Sequence, residues 1–361
     1  MIGAAGDLAG AAENMKTCAA GRLGFTAVLM LLATAVTHAA SSEYRILARF
    51  PVPGDSGYDY LRVDPDARRL YIAHDKRVEV LDTDTGRKLA EIGPMMRAHG
   101  IALAREFGRG FATSGIDDQI TIFDLQTFAT VKQVKSTGSN PDAIEYDPGT
   151  KRVYVANHGS GDVTVLDAAS GDVVGTVKFG KAALEALAFD GRGQGFVNAE
   201  DQSSIFVFDL KTLEPKAKWS VAPGEGGTGL AIDAAHHRLI TVCANNKAVV
   251  VDSDSGKVVA TPAIGSDPDG AVFEPATSRV FVSNVDGTLT ILQEESPDAF
   301  SVLQTVATQR GCRTVTLDSK TGHVVTCAPK YGPPPAQVKG GPRPRPSVVP
   351  GSFEAIVVGI R

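Results

Sequence analysis

Little in this chain advertises chemistry. Its 361 residues hold one tryptophan, Trp219, and four cysteines with no Cys-x-x-Cys pair, so no thiol-rich zinc or redox motif is present. Nucleophile elbows and paired-histidine zinc helices are missing, and the seven histidines are dispersed. His236-His237 falls in an outer hairpin and is expected to be solvated. The net charge of −5 excludes the basic footprint of a duplex-binding protein, so nucleic acid is not an expected partner. Two apparent motifs fail on context. Gly224-Glu225-Gly226-Gly227-Thr228-Gly229 spells the dinucleotide fingerprint, but it runs into a strand and offers no helix N-terminus to a pyrophosphate. Asp252-x-Asp254-x-Gly256 opens like a calcium loop yet lacks the distal glutamate.

Long apolar runs are also scarce. The single one, residues 23–36, follows Lys16 and Arg22 and precedes Thr37-His38-Ala39, the pattern of a secretory signal. Residues 1–40 are therefore expected to be upstream sequence and signal peptide, with the start at Met15 and cleavage near Ala39 or Ala40. The run is too short to span a membrane, and residues 41–361 are expected to form one exported domain, periplasmic or secreted.

What is abundant is repetition. Seven openings recur: Asp59-Tyr60-Leu61, His99-Gly100-Ile101, Asp142-Ala143-Ile144, Glu185-Ala186-Leu187, Thr228-Gly229-Leu230, Asp269-Gly270-Ala271 and Arg313-Thr314-Val315. They are spaced 40 to 44 residues apart, the period of a four-stranded propeller blade. Each leads into a short strand ending near an acid, then a second strand, an alternating third strand closing on aspartate, a glycine turn and a fourth strand. Six openings carry a small second residue, as strands crowding an axis require; Tyr60 is the exception. The last copy is one strand short, and residues 44–52 alternate as a spare strand. The expected fold is all-β: a seven-bladed β-propeller of four antiparallel strands per blade, closed by the N-terminal strand pairing onto the C-terminal blade.

Tyr154-Val155-Ala156-Asn157 and Phe281-Val282-Ser283-Asn284 resemble the name-giving motif of the YVTN-repeat β-propellers of bacterial exported proteins. The resemblance covers residues 44–361. It implies the fold and export, and no single chemistry.

In a propeller the first-strand starts gather at one mouth of the central channel. Asp59, His99, Asp142, Glu185, Thr228, Asp269 and Arg313 are accordingly the expected ligand-binding ring. His74, Ser114, Asn157, Cys243 and Asn284, at second-strand ends, should emerge on the same face. The competing role for such acids is structural, with each bonded to nearby backbone amides. Crowded carboxylates raise one another's pKa, and Asp142, Glu185 and Asp269 would suit Ca²⁺ or Mg²⁺ better than zinc. Residues 329–351, rich in proline, glycine and arginine, are expected as a loop inserted in blade 7 on that face, acting as a lid, docking arm or solvated insertion. Cys312 and Cys327 are the candidate disulfide. The leading functional expectation is a monomeric, non-catalytic scaffold binding a small polar ligand or a periplasmic protein at the funnel. The alternative is a lactonase-like hydrolase or metal-dependent isomerase using the acidic ring with His99 and Arg313.

Overall fold

The computed structural model describes residues 43–54, 57–333 and 346–361. The expected signal segment and residues 334–345 of the blade 7 insertion lie outside them. Among the described residues, 28 strands form seven four-stranded antiparallel sheets. No helix among them is long and apolar enough to cross a membrane.

Blade 1 runs from Tyr58–Asp64 to Lys88–Ile92, and the later blades repeat that order. Blade 7 is the exception the sequence foreshadowed. Its strands Val315–Asp318, His323–Ala328 and Glu354–Gly359 take Arg45–Pro51 as the fourth. No sheet edge is needed to close the ring elsewhere, which is how a propeller avoids a sticky open end.

Strand alternation explains why the blades stack. In Leu70-Tyr71-Ile72-Ala73, Leu70 and Ile72 face blade 7, whereas Tyr71 and Ala73 face blade 2. A side chain on a strand points to opposite faces at successive positions, so one run of apolar residues feeds two neighbours. Seven apolar clusters result, each filling one inter-blade junction.

Close to the axis the crowding is steric. A Cβ built on Gly100 would lie 2.6 Å from the Asp142 carbonyl oxygen, and one on Gly229 would lie 2.5 Å from that of Asp269. Neighbouring first strands approach too closely there for a side chain. Tyr60, at the equivalent position of blade 1, instead fills the space: its ring packs on the Ala143 and Leu187 cluster of blades 3 and 4, across the axis. Two adjoining cavities remain along the channel. One of about 90 Å³ is lined by Tyr60, Gly100, Ala143, Ala186, Gly229 and Asp269. A wider one of about 470 Å³ opens at the far end, beside Arg62, Glu145, Phe189 and Phe273.

Candidate binding site at the channel mouth

Asp59, His99, Asp142, Glu185, Thr228 and Asp269 are each the second residue of a first strand, and Arg313 lies just ahead of the seventh. Their burial is uneven. Asp59, His99 and Asp142 are buried, Glu185, Thr228 and Asp269 half-buried, and Arg313 exposed.

The contacts alternate in charge. His99 Nδ1 meets an Asp59 carboxylate oxygen in a hydrogen bond, and the same nitrogen lies 3.8 Å from Asp142 Oδ1. His158 Nδ1 lies 2.9 Å from Glu185 Oε1. Arg313 Nε donates to Asp269 Oδ2 at 2.8 Å. Thr228 is spent locally, its hydroxyl donating to the Pro268 carbonyl at 3.1 Å. Among the described residues, none of the four acids accepts a backbone amide, so the structural role open to them in sequence is not the one they fill.

Asp142 differs from the other three. Asp59, Glu185 and Asp269 each have a basic partner in close contact; Asp142 has only two imidazoles at longer range, His99 committed to Asp59 and His158 to Glu185. Burial, reinforced by the charge of Asp59, pushes its carboxyl up to about 8. Burial likewise raises Asp269 to about 6 against the opposing pull of Arg313. Hydrogen bonding to Glu185 lifts His158 to about 9. For His99, burial favours the neutral ring, but the Asp59 hydrogen bond and the Asp142 charge outweigh it and the net shift is upward. The Tyr60 hydroxyl, buried beneath Asp142, Glu185, Asp59 and Asp269, is raised well above its ordinary value and stays protonated as the floor of the funnel.

Second-strand ends do reach this face, but their side chains point into the blades. Asn157 Nδ2 donates to Asp162 Oδ1 at 2.6 Å and Thr164 Oγ1 at 2.9 Å. Asn284 Nδ2 donates to Thr288 Oγ1 and Thr290 Oγ1, both at 3.0 Å. The asparagine of the repeat motif thus ties the second strand to the third. Ser114 Oγ accepts the Met96 amide at 2.8 Å. His74 is wholly buried against the Phe353 ring, 4.5 Å between centroids. Cys243 is buried, and burial pushes its thiol up to about 11. These residues line no funnel.

The candidate disulfide is a second correction: Cys312 and Cys327 are both buried free thiols. Val315 pairs with Thr326, so the register sets residue 327 level with Thr314 rather than with Cys312.

Two residues absent from the sequence-based set matter here. His158 follows Asn157 directly, in the turn beyond the second strand, where the seven copies cease to match. Tyr331, at the base of the blade 7 insertion, lies with its hydroxyl 3.2 Å from that of Tyr58, which also donates to the Gly311 carbonyl at 2.6 Å. The insertion is therefore rooted against Tyr58, with the Val349 amide donating to the Lys330 carbonyl at 2.8 Å across its base.

Metal-ligand geometry differs from the expected trio. Asp59, His99 and Asp142 bring one ligand atom each within 4.8 Å of one another, as do Asp142, His158 and Glu185. Asp269 joins neither group and stays with Arg313. The interleaved imidazoles do not make the oxygen-only set that Ca²⁺ and Mg²⁺ prefer.

Fold and site together define a seven-bladed propeller with a charge-lined, tyrosine-floored mouth. Residues 74–326 match the family model described as outer membrane protein assembly factor BamB, and the chain belongs to that family. No curated protein sequence matches it. Among solved structures it resembles the WD40 repeats of RRP9, with a TM-score of 0.72, 14% identity, and 89% of this chain and 98% of that chain covered. The WD40 propeller domain of Doa1 aligns with a TM-score of 0.67, 14% identity, and 87% and 96% covered. A chain of Kuenenia stuttgartiensis hydrazine synthase gives 0.65, 16% identity, and 76% and 94% covered. Likeness at such identities speaks for the fold alone.

Proposed function

We propose that this protein is an exported binding scaffold of the YVTN-repeat kind that holds the cationic group of a small polar ligand, or of a partner protein's side chain, at Asp142. One observation carries the reading. Asp142 is a buried carboxyl set between two imidazoles, each committed to another acid. An ammonium or guanidinium group entering the mouth adds positive charge where four acids, Asp59, Asp142, Glu185 and Asp269, face three basic groups, His99, His158 and Arg313, and the low local dielectric strengthens that contact.

Arg313 on the rim disfavours a second positive charge on the blade 7 side. The basic flank, apolar run and small-residue site within residues 1–40 support export, as does a family described by an outer membrane assembly factor.

A thermal-shift panel of primary amines, guanidines, carboxylates and neutral sugars tests the assignment. Amines or guanidines are expected to stabilise the wild-type protein and to lose that effect in Asp142→Asn. Stabilisation by carboxylates or sugars alone, or an undiminished amine effect in Asp142→Asn, overturns it.

A further inference from the structure

At the other end of the propeller the first strands terminate in acids that cap their own hairpins. In two junctions the following blade sends a guanidinium to that acid. Arg105 Nε of blade 2 lies 3.3 Å from Asp64 Oδ1 of blade 1, and Arg68 Nη1 of blade 1 donates to Asp318 Oδ2 of blade 7 at 2.6 Å. Blade 5 breaks this arrangement. What blade 6 sends to Asp233 is a second acid, Glu294, carried on the nine-residue strand Thr288–Ser296.

Between the two acids stands His236, whose neighbour in sequence takes a different course. His236 Nδ1 lies 2.6 Å from Asp233 Oδ2 and 3.0 Å from Glu294 Oε1. A single N–H serves one of those oxygens, and it is aligned on Asp233. Glu294, only 5% exposed, is left with neither carboxylate oxygen accepting a well-formed hydrogen bond, although its Oε1 faces the His236 ring nitrogen. An unsatisfied buried carboxylate is costly, and a proton satisfies one pair of these three atoms at a time. Nearby cations are already engaged: Arg238 with Asp252 and Asp298, and His237 with Asp254. The expectation of a solvated His236 holds only for the outer side of its ring, which is 48% exposed at the side chain.

We propose that Asp233, His236 and Glu294 bind one divalent transition-metal ion of the Zn²⁺ type. Two carboxylates and an imidazole are ligands that zinc accepts, and the exposed side of His236 leaves a coordination position for water. The three ligand atoms lie within 4.8 Å of one another. Tetrahedral zinc with bonds of about 2.0 Å needs ligand separations of roughly 3.3 Å, so His236 Nδ1 must draw back by about 0.7 Å from Asp233 and about 0.3 Å from Glu294 to take the ion. Asp233 is pre-oriented, because its other oxygen accepts the backbone amides of Ala235 and His236 at 3.0 and 3.3 Å. Burial and the Asp233 charge also push the Glu294 carboxyl up to about 7, which the ion would reverse. On binding, Nδ1 gives up its proton to solvent and its lone pair to the metal.

The test is ZnCl₂ titration of chelator-treated full-length protein by calorimetry in two buffers of different ionisation enthalpy, with Co²⁺ substitution as a spectroscopic readout. Wild type is expected to bind one ion with proton release and to give a tetrahedral Co²⁺ spectrum. Glu294→Gln and His236→Asn should each weaken binding by roughly ten- to a hundredfold. Asp142→Asn breaks both three-ligand groups at the opposite mouth and so shows where the ion sits: loss of the ion there, and not in Glu294→Gln, overturns the proposal. Because His236 lies on a half-exposed hairpin, circular dichroism of His236→Asn is expected to match wild type, which keeps loss of metal distinct from loss of fold. Absence of a bound ion in wild type, or binding unaffected by both substitutions, overturns the proposal.

Discussion

The two ends of the first strands are built from the same residue types and behave oppositely. At the far end Asp64, Asp147, Asp190, Asp233 and Asp318 accept amides of their own hairpins: Asp147 Oδ2, for example, takes the Thr150 amide and hydroxyl, both at 2.7 Å. At the mouth Asp59, Asp142, Glu185 and Asp269 accept side-chain donors or none. An acid satisfied by its own turn costs little to bury and repeats from blade to blade. An acid that depends on a neighbouring blade is set by that neighbour, and differs at every position. Repetition therefore marks the scaffold, and the mouth is where the blades diverge.

Substitutions should separate the two ends by sign. Asp147→Ala removes the acceptor from a buried amide and hydroxyl and is expected to destabilise the protein by about 1–3 kcal/mol, read from urea unfolding. Little destabilisation would show that the far-end acids are not structural. Asp142→Asn is the opposite case, stabilising rather than destabilising, and only at high pH. Its folded-state pKa of about 8 exceeds the unfolded value, so the folded state holds the proton more tightly. Its contribution is complete below about pH 4 and is lost as pH rises through about 8. Asparagine mimics the neutral acid, so the variant should melt several degrees higher than wild type at pH 8, and equally near pH 4. A lower melting temperature for Asp142→Asn at pH 8 would mean that the charge is compensated after all.

How much of this was legible beforehand follows from the range of the interactions. The seven openings and the closing strand could be aligned from sequence because strand alternation and axial crowding act within a few residues; Gly100 and Gly229 are small for a local steric reason. The mouth ring was legible for the same cause, since strand position fixes it. His158 was not, because its partner Glu185 belongs to the next blade and no period links a turn to a neighbour's strand start. Glu294 escaped likewise, on a strand longer in blade 6 than in its equivalents. Asn157 and Asn284 were misassigned to the funnel because backbone position was readable and side-chain direction was not. Their motif is a clamp between strands, which explains its recurrence.

Asp142, a buried carboxyl in a mouth with one acid more than it has basic groups, is where the cation is expected to bind. Carboxyl ¹³C NMR, with Asp142→Asn fixing the assignment, reads that state directly in the presence and absence of an amine or guanidine that stabilises the wild-type protein. The prediction is a titration midpoint far above the ordinary carboxylate range in the free protein, near 8, falling when the cation binds. A midpoint in the ordinary range that does not move on addition of the cation would contradict it.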